Sequence, residues 1–284
     1  MPRLRPLASR ALLLLAGLAL AGCIAIVDGQ TLESTAPSHA GSEGLERIVD
    51  RGALVVGLSG EQPPLNMTTR EGELIGLEVA LARTLAGSMG VEARFEVIPF
   101  PGLLDALEAG VVDLVMSGMT ITPRRNLRVS FVGPYFVSGK SILTKSDTLL
   151  AIRSPEDLNL ADFRFAALRG STSQEFVEVL LPEAQLVTTE SLDQAVRMVI
   201  DDEVSALVAD IETCAYALLR HPEAGLAALR TRLTTEPIGI ALRADDTLLA
   251  NLLDNYLAAL DGTGALEDAR LYWFEDPSWV RELR

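Results

Sequence analysis

At 284 residues the chain exceeds one small domain and suggests about two. Its composition is 49% apolar and 22% charged, enough for a sizeable core, which excludes wholesale disorder. Lys and Arg number 24 against 39 Asp and Glu, and the net charge of −15 lacks the basic face a nucleic-acid partner requires. Two Cys and two His, each pair far apart, exclude a zinc site of ordinary spacing and a disulfide scaffold.

The N-terminus reads as an address. Arg3, Arg5 and Arg10 precede eleven uncharged residues, Ala11 to Ala21, the length of a signal-peptide apolar region and too short to span a bilayer. Leu20-Ala21-Gly22-Cys23 resembles a bacterial lipobox, in which the cysteine is acylated and becomes the new N-terminus. Ordinary cleavage after Ala21 is the alternative. Removing residues 1–22 takes three Arg away, so acyl chains rather than a basic patch would hold the protein at the membrane. Residues 23–44 then form a lipidated Cys and a polar, flexible tether. Cys214, among Ala215, Ala217 and Leu218, reads as a lone buried thiol.

From Gly44 onward, strand-like and helix-like segments alternate. Ala53–Leu58 is a short apolar run bounded by glycines, as in a buried parallel strand. Residues 77, 79, 81, 82, 85 and 89 form a helical stripe closed by Gly90. Val91–Ile98 predicts a strand, Leu103–Ala109 a helix and Val111–Met116 a strand, a βαβαβ run of doubly wound type. A second run follows: strands at Ser141–Thr144 and Phe163–Leu168, helix Gln174–Leu181, strand Leu186–Thr188, helix Leu192–Ile200, strand Ser205–Ala209 and helix Ile211–Leu219. Strand Ile238–Leu242 and two helices complete the chain. Tyr135–Gly139 and Thr234–Pro237 are the expected linkers, giving parts at 45–136, 137–236 and 237–284, the last returning to the first.

Three constellations stand out. In Ser117-Gly118-Met119-Thr120-Ile121-Thr122-Pro123-Arg124-Arg125, Thr122 and Pro123 open a helix as N-cap and first residue. Two Arg then fall in a first turn, where the macrodipole disfavours cations. That points to an Arg held to bind an anion bidentately, or to a solvated surface Arg. Gly170-Ser171-Thr172-Ser173 lies between a strand and a helix, where hydroxyls and free N–H groups suit a carboxylate or phosphate, or serve simply as a cap. Asp210 ends a strand and opens a helix, either as an N-cap or as a carboxylate aimed at a ligand ammonium. Ser138-Gly139-Lys140-Ser141 imitates the end of a P-loop, but Pro134 stands at the required Gly and a strand follows, which argues against nucleotide binding. No G-x-S-x-G elbow is present.

Leu54-Val-Val-Gly-Leu, Gly76-Leu-Glu-Val-Ala-Leu-Ala, Leu107-Glu-Ala-Gly-Val-Val-Asp113-Leu, Gly118 to Arg125, Phe131-Val-Gly-Pro-Tyr135, Gly170-Ser-Thr172, Asp210 and Gly239-Ile-Ala-Leu occur in an order that is specific as a set. Over about residues 45–275 the chain resembles the bacterial extracellular solute-binding proteins of the polar amino-acid family (family 3), receptors of ABC importers. The glutamate-receptor ligand-binding core is similar in fold. The resemblance implies an α/β, type II periplasmic-binding-protein-like fold, each of two lobes a mostly parallel sheet flanked by helices, joined by two hinge crossings. It implies a monomer in the cell envelope, on the periplasmic or extracellular face, that needs no cofactor. Such a monomer would close on an amino acid or related small zwitterion and deliver it to an inner-membrane ABC permease.

The same resemblance assigns Arg125 to the ligand carboxylate, with Thr120 and the backbone of Ser171 or Thr172 as co-donors. It assigns the Gly118 carbonyl, the Thr120 hydroxyl and Asp210 to the α-ammonium. Phe100 keeps an aromatic position, whereas Gln62 replaces a second ring and Ser59 an acid, which argues against a basic amino acid. A lyase like the cyclohexadienyl dehydratases, similar to this family, is the alternative; Glu61, Glu175 and Glu212 would be its nearest acids. A sensory or cell-wall-associated binding module is another.

Overall fold

The structure, a computed structural model, describes residues 43–151 and 155–283. The leader, Cys23 and residues 23–42 of the expected tether lie outside the described residues. In chain order the elements are α1 (Glu43–Arg51), β1 (Ala53–Leu58), β2 (Glu61–Gln62), β3 (Asn66–Thr68), β4 (Leu74–Ile75), α2 (Leu77–Met89), β5 (Glu92–Val97), α3 (Leu103–Glu108), β6 (Leu114–Val115), α4 (Pro123–Asn126), β7 (Val129–Ser138) and β8 (Lys140–Thr144). They continue with α5 (Asp147–Leu150), β9 (Arg164–Leu168), α6 (Thr172–Leu180), β10 (Gln185–Thr189), α7 (Leu192–Ile200), β11 (Ala206–Asp210), α8 (Ile211–Arg220), β12 (Ala227–Ala228), β13 (Glu236–Arg243), α9 (Thr247–Gly262) and α10 (Ala265–Glu275).

Two five-stranded sheets make the two lobes, in the orders β5-β1-β6-β13-β7 and β10-β9-β11-β8-β12. Each contains one βαβαβ unit whose second strand lies outside the first and whose third lies inside it, so the same winding is used twice. The expected mostly parallel sheets are corrected to evenly mixed ones. β5-β1-β6 and β10-β9-β11 are parallel, whereas β13 and β8 pair antiparallel with both of their neighbours. The antiparallel strands are those that enter or leave each lobe at the crossings. A chain that passes between lobes and returns must run both ways.

The two expected linkers are paired with each other. β7 and β13 stay paired through Phe136–Ile238, Val137–Pro237 and Ser138–Glu236, forming a two-stranded ribbon that carries both connections. Gly139 ends it. A Cβ there would lie 2.4 Å from the Thr234 carbonyl oxygen, so only glycine lets the two passing chains approach this closely.

β1 is buried along its whole length, as a strand covered on both faces must be. One face packs Leu54 and Val56 against Leu81 and Leu85 of α2 and Leu249 and Leu253 of α9; the other packs Val55 against Leu103 and Leu107 of α3. The Val111–Met116 strand shrinks to β6, because the Asp113 side chain is used as a clamp: it accepts from the Val55 amide at 2.8 Å and pairs with Arg47 and Arg51 of α1. Helix α1 begins at Glu43, within the expected tether, and Gly44 donates its amide to Asp246 at 2.8 Å. The small sheet β2-β3-β4 was not foreseen; strands of two or three residues show no period.

Candidate functional site: an ionic cleft between the lobes

In open α/β sheets, ligands bind beyond the C-terminal ends of strands where the strand order reverses. Here those points lie between β1 and β6 in one lobe and between β9 and β11 in the other, and the two face each other. A narrow cavity of about 20 Å³, space for about one water molecule, lies there. It is lined by all eight residues singled out from the sequence: Gln62, Phe100, Gly118, Thr120, Arg125, Ser171, Thr172 and Asp210.

The corner after β6 places the cation. The Ile121 amide donates to the Pro237 carbonyl at 2.7 Å and the Gly239 amide to Met119 at 3.1 Å, which lays this segment along β13. Thr122 caps α4, accepting from the Arg125 amide at 3.2 Å, with Pro123 as the first helical residue. The helix is a single turn, so its dipole is weaker than that of a longer helix. Arg125 Nη1 donates to the Thr120 carbonyl at 2.8 Å, and Nη2 reaches across the cleft to the Gly170 carbonyl at 3.2 Å. Its guanidinium carbon stands 5.8 Å from the Phe100 ring centroid, within cation–π range. Burial lowers its pKa to about 10, opposed by the fields of Glu236, Asp210 and Glu175, so it is charged at neutral pH.

Gly118 turns at φ +55°, and a Cβ there would stand 2.9 Å from Gln62 Oε1. Its amide donates to Glu78 Oε1 at 2.7 Å. The Gln62 oxygen accepts from the Ser117 hydroxyl at 3.0 Å, so this side chain belongs to a polar network as well as to the wall.

On the opposite lobe, Ser171 caps α6. Its hydroxyl accepts from the Gln174 amide and donates to the Leu168 carbonyl at 2.6 Å, and its own amide also bonds Leu168. These commitments leave Thr172 as the donor of this turn. Thr172 Oγ1 stands 3.3 Å from Thr120 Oγ1 across the cleft, and Leu168 and Leu192 join the apolar cluster around Phe100 and Met119. The lobes are in contact.

Asp210 occupies the N-cap position of α8 but makes no side-chain cap. Its Oδ1 instead accepts from Lys140 Nζ at 2.5 Å, and Lys140 also lies 3.8 Å from Glu236. Lys140 is 1% exposed and lines the cavity. Sequence reasoning met it only inside the rejected P-loop imitation. A lysine opening an otherwise uncharged buried strand, one residue after the hinge glycine, was the available signal.

Glu61, Glu175 and Glu212 are not among the residues lining this cavity. Glu212 accepts from the Ser138 hydroxyl, and burial raises its carboxyl pKa. Glu175 lines the outer groove with Arg124. Glu61 borders a separate pocket, and burial raises its pKa too. Cys214 is buried and free, its thiol pushed up to about 12 by burial, which leaves it unreactive. Among the described residues no group of His, Cys, Asp or Glu is placed to hold a metal ion, and no helix is long and apolar enough to cross a membrane.

Two lobes joined by a paired ribbon, with a charged cavity between facing strand ends, define a clamshell of the type II periplasmic binding class. The chain belongs to the bacterial extracellular solute-binding proteins, family 3, whose model matches residues 54–276. It is 29% identical over 224 residues to the ABC transporter arginine-binding protein 1 of Escherichia coli (strain K12), covering 77% of this chain and 89% of that one. The crystal structure of the ancestral amino acid-binding protein AncCDT-1, described as a precursor of cyclohexadienyl dehydratase, matches with a TM-score of 0.73 and 33% identity, over 81% of this chain and 99% of that one. The cyclohexadienyl dehydratase of Pseudomonas aeruginosa is 24% identical over 259 residues, covering 89% of this chain and 92% of that one.

Proposed function

We propose that this chain is the solute receptor of an ABC importer, closing its lobes on an amino acid or a closely related small metabolite. The observation that carries the reading is that Arg125 and Asp210, from opposite lobes, line one small cavity with the hydroxyls of Thr120 and Thr172 between them. In this reading Arg125 grips a carboxylate, using the N–H groups not committed to Thr120 and Gly170, with the Thr172 amide as co-donor. Asp210, shared with Lys140, faces the other end. A solute that touches both lobes binds the closed state better than the open one, and that differential affinity drives closure. The arginine-binding relative supports the assignment to import. The positions of Glu61, Glu175 and Glu212 outside the inner cavity favour a binder over a lyase, which needs a general acid at the reacting atoms.

The test is a thermal-shift panel of amino acids and related carboxylates. Solutes that raise the melting temperature of the native protein are expected to lose that effect in Arg125→Ala, while the unliganded melting point stays within a few degrees. Undiminished stabilisation would remove Arg125 from the site.

The protein works in the envelope, held by acyl chains on Cys23. Replacing Cys23 with Ser is expected to move it from the membrane to the soluble fraction; retention in the membrane would rule the anchor out.

A further inference from the structure

The charged groups of the cleft narrow the kind of solute it can take. Among the residues lining the cavity, the ionised ones are Arg125, Lys140 and Asp210. Their sum is +1. Lys140 and Asp210 sit on neighbouring strands of the same lobe, in register as a β8–β11 pair, so their contact does not depend on closure. Glu236, the other carboxylate near Lys140, is absent from the cavity lining. It accepts from the Thr234 hydroxyl at 2.8 Å, and that hydroxyl accepts from the Lys140 amide at 3.0 Å. The Asp210 carboxylate is therefore already matched by a cation that is part of the protein. A buried ammonium has three N–H donors, and Lys140 makes one hydrogen bond, to Asp210. Its remaining donors require acceptors.

We propose that Lys140 determines specificity in this site, by taking the place of a ligand ammonium on Asp210. The solute is then a small carboxylate whose α-carbon carries a neutral hydroxyl or oxo group instead of a free ammonium. A zwitterion brings a second ammonium against Lys140 on the same carboxylate, whereas a carboxylate without an ammonium does not. A 2-hydroxy acid satisfies both partners, donating its hydroxyl to Asp210 and accepting from Lys140. A 2-oxo acid accepts from Lys140. In either case Arg125 holds the carboxylate. The inference rests on the receptor reading and narrows it.

The test is calorimetric titration of the native protein with matched sets: alanine, lactate and pyruvate; leucine with its 2-hydroxy and 2-oxo counterparts; glutamate with 2-hydroxyglutarate and 2-oxoglutarate. In the set that binds, the hydroxy or oxo acid is expected to bind about tenfold or more tightly than the amino acid, equivalent to roughly 1.4 kcal/mol. Lys140→Gln is expected to lower that ratio by a similar factor, with a far-ultraviolet spectrum like the native one; Lys140→Met is the second variant, keeping length without charge. An amino acid that binds the native protein at least as tightly as its counterparts overturns the assignment and leaves the receptor reading intact. A ratio unchanged in both folded variants does the same. Binding by no member of any set overturns both. Should neither variant fold, the native ratio alone decides.

Discussion

Each lobe holds a carboxylate close to the cleft, fully buried in one and partly buried in the other, and the two are stabilised in different ways. In the first lobe Glu78, in the opening turn of α2, is fully buried with neutral partners only. It accepts from the Gly118 amide at 2.7 Å, the Asn66 side-chain amide at 2.6 Å and the Tyr135 hydroxyl. Burial raises its pKa, while these three bonds and the positive end of the helix act the other way. In the second lobe Asp210 is matched by the Lys140 cation. The neutral arrangement joins four separate segments and fixes the shape of the Gly118 corner. The ionic one sets the charge that a solute meets. Glu78 therefore holds local structure, whereas the Asp210–Lys140 pair, which lines the cavity, is the group proposed to meet the solute.

This contrast can be broken from either side. The largest stability effect is expected in the first lobe: Glu78→Ala strands the Gly118 amide, the Asn66 amide and the Tyr135 hydroxyl in a dry interior, costing about 3 kcal/mol or more. Chemical denaturation would read it, and a loss under about 1 kcal/mol would show that water replaces the carboxylate there. Changes at Lys140, in contrast, should alter which solute binds more than they alter stability.

A smaller effect sharpens the comparison at the hinge. Burial raises the Glu212 carboxyl above its ordinary 4.5, with Asp210 adding to the rise and Arg232 and the Ser138 hydroxyl opposing it. The native state thus holds that proton more tightly than the unfolded chain. The stabilisation this provides is complete below the ordinary value and is lost as pH rises through the raised one. Melting temperatures taken from acid to neutral pH should fall less steeply in Glu212→Gln than in the native protein. Parallel curves would show that Glu212 titrates alike in both states.

The helix assignments drawn from periodicity survive well; Leu77–Met89 and Leu192–Ile200 match residue for residue. Turn chemistry was equally legible, because Thr122 and Ser171 act on neighbours three residues away. The ribbon was not. β7 reads Val-Ser-Phe-Val-Gly-Pro-Tyr-Phe-Val-Ser, where Gly133 and Pro134 imitate a linker, and only pairing with β13 holds it as a strand.

The sequence by itself determined the repeated βαβαβ order, the strand ends that carry the site, and the presence there of Arg125, Thr120, Thr172 and Asp210. All of these depend on patterns spanning a few residues. Tertiary structure alone decided that Lys140 meets Asp210 across 70 positions and that Glu78 meets Gly118 across 40. Such meetings depend on the register between strands and on the packing of a helix over a distant loop, and both are set by the free energy of the whole folded lobe.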